Sequence, residues 1–273
     1  MRRGRSWLAA ALALLCAASV GSARAQSQGD SPVLARILKT GELRVGMSGD
    51  QPPLNFKSNL GEMMGLEVDL ARALADVMGV KLVIVQKPFD ELLAAVKGGE
   101  VDLVMSGMTI TPARNMQVPF VGPYYLSGKS ILANSATLAK IKTVGDLDKS
   151  KMTLVALDGS TSQAFVEKLL PKAKLVTAKS YDDAVKLLLA NKVQAMVADQ
   201  EICVLTGLRH PKAGLGALSK PLTVEPIGIA VAPGDPLLVN FLENSFAALQ
   251  AGGSLDGLRE RWVRNGDWVS QLP

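Results

Sequence analysis

One arginine stands where an apolar strand gives way to a polar loop, a position suited to binding a carboxylate. It belongs to the segment VDLVMSGMTITPARNM, whose apolar start predicts a short buried strand. Ser106, Gly107 and Thr109 follow that strand at its carboxyl end, where open α/β sheets bind their ligands. Thr111 then caps a helix that begins with proline, which places Arg114 in the first turn. Hydroxyls, backbone N–H groups and a guanidinium together predict a site for a small carboxylate, and a surface arginine after a helix cap is the alternative.

A second charged residue could bind the opposite pole of the same ligand. Asp199 ends another predicted strand, in the segment VQAMVADQ. A carboxylate is the natural partner of an ammonium group, as a guanidinium is of a carboxylate. Asp199 alone could equally be a solvent-exposed residue at the end of a strand. Together with Arg114, it predicts recognition of a zwitterion.

These segments resemble the amino-acid-binding solute receptors of ABC importers, in which the loop of lobe one reads S-[SG]-x-[ST]-x-T-x-x-R. The resemblance covers nearly all of residues 34–269 and includes GLEVDLARAL, PFDELLAAVKGGEVDLVMSG and LRERW. It implies that Arg114 holds the α-carboxylate of the ligand, with help from the hydroxyls and amides of the preceding loop. It also implies that Asp199 accepts the α-amino group.

The resemblance adds two further contacts. The turn Gly159-Ser160-Thr161 offers hydroxyls and N–H groups at a predicted helix start, which resembles the second carboxylate contact of the family. Ordinary helix capping by Ser160 or Thr161 is the alternative. Phe89 resembles the aromatic residue that covers the aliphatic part of the ligand, and helix packing is its alternative role.

The first loop departs from the family pattern and bears on the class of ligand. Gln51 stands where many relatives carry an aromatic residue, and Ser48 stands where receptors for cationic amino acids tend to carry an aspartate. Loss of one stacking face argues against a ligand such as arginine or lysine. We therefore expect a polar neutral or acidic amino acid, with Gln51 as one of its contacts.

Short β-rich runs alternate with amphipathic helices from about residue 33 onward, which predicts α/β layers. The alternation restarts after the turn-rich segment GPYYLSGKSILA, so we predict a second lobe there. The resemblance implies a two-lobe α/β fold of the periplasmic-binding-protein type (type II), with a hinged ligand cleft. The expected boundaries are residues 33–126 plus 231–270 for lobe one, residues 130–223 for lobe two, and hinge segments near 127–129 and 224–230.

Residues 1–25 have the layout of a secretory signal peptide, with early arginines, an apolar stretch and an Ala-Arg-Ala ending. Cleavage after Ala25 removes four arginines and no acidic residue, which lowers the formal charge from +5 to about +1. This balance gives no reason to expect nucleic acid or an anionic membrane surface as a partner. We expect a periplasmic protein. A lipoprotein anchored at Cys16 is less favoured because Leu15 is too large for the position before a lipidated cysteine.

The sequence favours capture of a ligand over chemistry. Cys203 and the single His210 cannot form a metal site by themselves, and His210 lacks the partners of a hydrolytic triad, so no metal or cofactor is expected.

An enzyme is the leading alternative, because some proteins resembling this family are cyclohexadienyl dehydratases acting on arogenate or prephenate. Glu201 is the candidate acid, but residues at its offset from Asp199 do not share a helix face. A sensor module of a signalling receptor is a third alternative. We expect a monomer that presents its amino acid to the permease of an ABC importer.

Overall fold

The computed structural model describes residues 31–272, so the predicted signal peptide lies outside the described residues. Its elements form two α/β halves. Those of the first half, in chain order, are α1 (Pro32–Thr40), β1 (Glu42–Met47), β2 (Asp50–Gln51), β3 (Asn55–Lys57), β4 (Met63–Met64), α2 (Leu66–Met78), β5 (Lys81–Gln86), α3 (Phe89–Lys97), β6 (Leu103–Val104), α4 (Pro112–Asn115) and β7 (Phe120–Ser127).

The second half follows directly, and the chain then returns to the first. The elements are β8 (Lys129–Asn134), α5 (Ser135–Leu138), β9 (Thr153–Leu157), α6 (Thr161–Leu169), β10 (Lys174–Ala178), α7 (Tyr181–Leu189), β11 (Ala195–Asp199), α8 (Gln200–Arg209), β12 (Leu215–Ala217), β13 (Glu225–Val231), α9 (Pro236–Ala251) and α10 (Ser254–Arg259). Short 3₁₀ or π-helical turns occupy Val144–Asp146, Pro211–Ala213, Glu260–Arg264 and Asp267–Gln271.

Each half is built on a five-stranded sheet, and each sheet presents the ends of parallel strands to the space between the halves. The sheet of lobe one has the order β5-β1-β6-β13-β7, with β1 parallel to β5 and β6. The sheet of lobe two has the order β10-β9-β11-β8-β12, with β9 parallel to β10 and β11. The loops after β1 and β6 therefore share one edge, and the loops after β9 and β11 share another.

The chain passes between the sheets twice. It leaves lobe one at Gly128, between the last residue of β7 and the first of β8, and returns between β12 and β13. Strand β13 pairs with β7 and β6, so residues 225–231 lie in the sheet of lobe one. The two crossing segments touch, because a Cβ atom on Gly128 would lie 2.1 Å from the carbonyl oxygen of Thr223. The exact lobe and hinge boundaries stay predictions.

The apolar side chains that recur along α2 pack into the core of lobe one. Leu66, Leu70 and Leu74 are fully buried in its core, where each such side chain contributes about 1.5–3 kcal/mol relative to an exposed position. Trp262 and Trp268 close the far side of that core with ring centroids 5.8 Å apart. The C-terminal segment thus completes lobe one.

The described residues also bear on thiol reactivity, metal binding and membrane insertion. Cys203 is a buried free thiol in α8, and burial raises its pKa. Over residues 31–272, no cluster of three or more His, Cys, Asp or Glu side chains is arranged to hold a metal ion. In the same range, none of the helices has the length and apolar character needed to cross a bilayer.

Candidate functional site

Arg114 lies at the boundary of the two lobes and reaches across it. The hydroxyl of Thr111 accepts the backbone N–H of Arg114 at 3.2 Å, so the predicted cap of α4 is present. The guanidinium donates from Nη1 to the carbonyl of Thr109 at 2.9 Å and from Nη2 to the carbonyl of Gly159 in lobe two at 3.0 Å. Its Cζ atom lies 5.7 Å from the ring centroid of Phe89, within the range of a cation–π contact.

The turn that precedes α6 supplies the lobe-two side of this contact. Gly159 has φ of +70°, a conformation that glycine adopts without strain, and its carbonyl faces Arg114. Thr161 brings its Oγ1 to 3.3 Å from Oγ1 of Thr109 in lobe one. Ser160 instead caps α6, because its hydroxyl accepts the N–H of Gln163 and donates to a backbone carbonyl. The structure therefore brings Thr161 to the arginine loop and uses Ser160 for capping.

Gln51 and Ser106 hold the loops of lobe one to each other. The side-chain amide of Gln51 donates to the hydroxyl of Ser48 at 2.8 Å and to the carbonyl of Ser106 at 3.1 Å. Ser106 is fully buried, and its hydroxyl accepts the N–H of Ser48 at 2.9 Å. Both polar groups that we expected at the ligand therefore have partners inside lobe one.

Gly107 is likewise engaged within lobe one, by a residue that the sequence did not single out as part of the site. Its backbone N–H donates to Oε1 of Glu67 at 2.7 Å. Glu67 is fully buried and also accepts hydrogen bonds from the side chains of Asn55 and Tyr124. Burial raises the pKa of Glu67 to about 6, against the opposing effect of these three donors. Glu67 thus fixes the conformation of the loop that carries Thr109 and leads to Arg114.

Asp199 stands at the end of β11 with a cation already beside it. Lys129, which is 2% exposed, forms an ion pair with Oδ1 of Asp199, and its Nζ lies 3.7 Å from Oε2 of Glu225. Asp199 and Glu225 are also close enough to Arg114 to oppose the lowering of its pKa by burial. The two predicted poles of the site, Arg114 and Asp199, therefore belong to one buried group of charges between the lobes.

Glu201, the candidate acid of the enzyme alternative, is bound to lobe one. Its carboxylate accepts hydrogen bonds from the hydroxyl of Tyr125 and, at 2.6 Å, from that of Ser127. Burial raises its pKa, and the two hydroxyls act in the opposite direction. Both of its oxygens are therefore engaged by strand β7.

Charged side chains also join the lobes at the mouth of the cleft. Lys179 of lobe two bonds to Asp90 in α3 at 2.6 Å and to Asp158 at 2.8 Å. Asp50 of lobe one accepts the backbone N–H of Tyr181, the first residue of α7, at 2.8 Å. A cavity of about 550 Å³ opens beside these contacts, and neither Arg114 nor Asp199 lines it.

Sequence reasoning missed two buried charges, although the chain contains weak signals for both. Lys129 adjoins an apolar run at the predicted crossing between lobes. A lysine at such a place has little access to solvent and therefore needs a partner of opposite charge. For Glu67 the sequence indicates only an acidic residue in the first turn of α2, where its charge interacts favourably with the helix dipole. Its burial depends on which face of α2 the loops of lobe one cover, and the helix pattern alone does not give this.

Comparison with known proteins identifies the family of the chain. Residues 43–265 match the family model for bacterial extracellular solute-binding proteins, family 3. The chain is 29% identical over 227 residues to an ABC transporter arginine-binding protein of Escherichia coli, covering 81% of this chain and 90% of that protein. It is 30% identical over 200 residues to a cyclohexadienyl dehydratase of Pseudomonas aeruginosa, covering 73% and 74%.

The fold agrees with a solved structure as well. The ancestral amino acid-binding protein AncCDT-1, a precursor of cyclohexadienyl dehydratase, superposes with a TM-score of 0.77 at 36% identity, covering 84% of this chain and 98% of that one. The predicted two-lobe α/β fold and the predicted family are both confirmed. The chain belongs to the bacterial extracellular solute-binding proteins, family 3.

Proposed function

We propose that this protein is a periplasmic receptor that captures a polar neutral or acidic amino acid and presents it, as a monomer, to the permease of an ABC importer. The observation that carries the proposal is the contact of Arg114 with both lobes, together with the position of Asp199 at the end of a strand in the sheet of lobe two. A carboxylate at Arg114 and an ammonium at Asp199 would be bound by different lobes. Binding of one small zwitterion would then favour closure.

In the proposed mechanism each residue has a role in capture. A guanidinium has five N–H donors, and two carbonyls use only part of that capacity at Arg114. The carboxylate of the ligand would bind to Arg114 beside the hydroxyls of Thr109 and Thr161, whose oxygens lie 3.3 Å apart. Phe89 would cover the aliphatic carbons. Asp199 would accept the ammonium from the side of lobe two.

The first loop supports the ligand class. Ser48 and Gln51 bond to each other, and neither of these two positions offers an aspartate or an aromatic ring to a cationic side chain. Charged ligand groups need a partner when the closing cleft removes them from water. A ligand with a polar neutral or acidic side chain does not need an additional carboxylate at these positions.

A dehydratase is the second candidate, favoured by the similarity to cyclohexadienyl dehydratase and by the buried carboxylate of Glu201. General acid catalysis needs a proton donor within hydrogen-bond reach of the leaving group. Because Tyr125 and Ser127 engage both oxygens of Glu201, we favour the receptor. Incubation of the protein with arogenate and with prephenate tests the choice, since turnover of either substrate would establish the enzyme.

Calorimetry with single variants tests the receptor. Arg114→Ala and Asp199→Ala should each weaken amino-acid binding by about 2–5 kcal/mol, roughly 30-fold to several thousand-fold, because each strands a desolvated ligand charge. Arg264→Ala, which removes an exposed arginine paired with Glu260, is the matched control and should bind normally. Small-angle scattering should show that Asp199→Ala closes poorly. Near wild-type affinity in Arg114→Ala would rule out the carboxylate site.

A further inference from the structure

Lys129 is a buried cation beside the residue that we expect to bind the ligand ammonium. It is the first residue of β8, and the strand register places it directly opposite Asp199, the last residue of β11. Only 2% of its surface is exposed. Its Nζ contacts Oδ1 of Asp199 and lies 3.7 Å from Oε2 of Glu225. The lysine is therefore part of the site and not of a solvated face.

The two segments that cross between the lobes hold this lysine in place. The backbone N–H of Lys129 donates to the hydroxyl of Thr223 at 3.0 Å, and the same hydroxyl donates to Glu225 at 2.9 Å. The carbonyl of Lys129 accepts the N–H of Leu222 at 2.7 Å. Lys129 and Glu225 are thus positioned by one hydrogen-bonded unit, so their charges are fixed before a ligand arrives.

Four of the charged side chains between the lobes balance one another. Arg114 and Lys129 are cationic, Asp199 and Glu225 are anionic, and each of the four is less than 10% exposed. Both carboxylates act on Arg114, which places the four charges in one electrostatic environment. An amino acid with a neutral side chain adds one charge of each sign and leaves the balance unchanged. An amino acid with a cationic side chain adds a second positive charge.

We propose that Lys129 is a specificity-determining residue, which neutralises one carboxylate of the Asp199–Glu225 pair and so excludes amino acids with a second positive charge. This inference rests on the proposed function and extends it to a residue and a mechanism. With Lys129 present, a second ligand cation is buried without a counter-charge, which is costly. Without Lys129, the pair of carboxylates leaves one negative charge available for it. Electrostatic complementarity of this kind sets specificity between related ligands.

The test compares dissociation constants for L-glutamine, L-glutamate and L-lysine by calorimetry. The wild-type protein should bind the better of the first two at least about tenfold more tightly than lysine. Lys129→Met should reduce that preference by about tenfold or more, and Lys129→Arg should preserve it because the charge remains. Lys186→Met is the control, since Lys186 is an exposed lysine paired only with Asp183 of its own helix among the described ion pairs.

A second variant keeps the test decisive if Lys129→Met does not fold. Glu225→Gln adds net positive charge to the site without removing the lysine, so it should increase the preference against lysine. Tighter binding of lysine than of the other two by the wild-type protein would overturn the inference. An unchanged preference in folded Lys129→Met, or in Glu225→Gln, would overturn it while leaving the receptor proposal intact. Failure of all three amino acids to bind the wild-type protein would overturn the proposed function as well.

Discussion

Replacement of Glu67 by glutamine should change how the stability of the protein depends on pH. Glu67 is fully buried in lobe one and accepts hydrogen bonds from Gly107, Asn55 and Tyr124. Burial raises its pKa from an ordinary value of 4.5 to about 6. The cause is the desolvation of the carboxylate, which the three donors offset only in part.

The direction of the effect follows from proton binding. The folded protein keeps the proton of Glu67 up to a pH of about 6, whereas the unfolded chain releases it near 4.5. The contribution of this group to the free energy of unfolding is therefore fully present below the unfolded pKa and is lost as the pH rises through the folded pKa. The difference between the two pKa values corresponds to about 2 kcal/mol.

Urea denaturation from about pH 4 to pH 8 measures this contribution as a difference between two proteins. The free energy of unfolding of the wild type, relative to Glu67→Gln, should fall by about 2 kcal/mol across that range. Glutamine has one acceptor oxygen where glutamate has two, so the variant should also lose hydrogen bonding to the three donors. Glu62→Gln, an exposed glutamate before α2, controls for loss of a carboxylate. A difference that stays constant with pH would refute the assignment of a raised pKa to Glu67.

Two further predictions concern closure and the crossing between lobes. Lys179→Met should weaken ligand binding, measured by calorimetry, by a factor of about two to five at low salt, because it removes an exposed ion pair between the lobes. At high salt the effect should be small, because salt screens this ion pair. Lys186→Met is the control and should bind normally, because its ion pair lies within one helix. Equal affinity in the two variants would show that this contact does not support closure. Gly128→Ala should lower the thermal midpoint or alter closure in small-angle scattering, because the added Cβ would lie 2.1 Å from the carbonyl oxygen of Thr223, whereas Gly257→Ala meets nothing within 4 Å. Wild-type stability and closure in Gly128→Ala would contradict a close contact between the two crossing segments.

The sequence predicted the elements of the site better than the partners of its side chains. The apolar run before Ser106 and the Thr-Pro start of α4 correctly place Arg114 in a helix that follows a buried strand, because strand ends and helix caps are local features. The cap of Thr111 on Arg114 is present for the same reason. The prediction that Gln51 contacts the ligand is still untested, and its amide is engaged inside lobe one.

The roles of individual polar groups depended on long-range packing. Gly107 was expected to offer its N–H to the ligand, but Glu67, forty positions earlier, accepts that hydrogen bond. Ser160 had two possible roles, and the structure shows its hydroxyl capping α6. These outcomes depend on which side chains reach the same point from distant parts of the chain, and single-residue chemistry does not specify this.

By itself the sequence predicted α/β layers, because periodicity and helix caps are encoded within short segments, and its S-G-x-T-x-T-x-x-R loop carried the resemblance to a family with a two-lobe fold. Only the tertiary structure decided that Arg114 reaches the carbonyl of Gly159 and that Lys129 forms an ion pair with Asp199. The physical reason is that the charge of a closed cleft is a sum over residues from both lobes and both crossing segments. Strand register and lobe closure, not the order of residues along the chain, set which of those charges share the low-dielectric space where they interact.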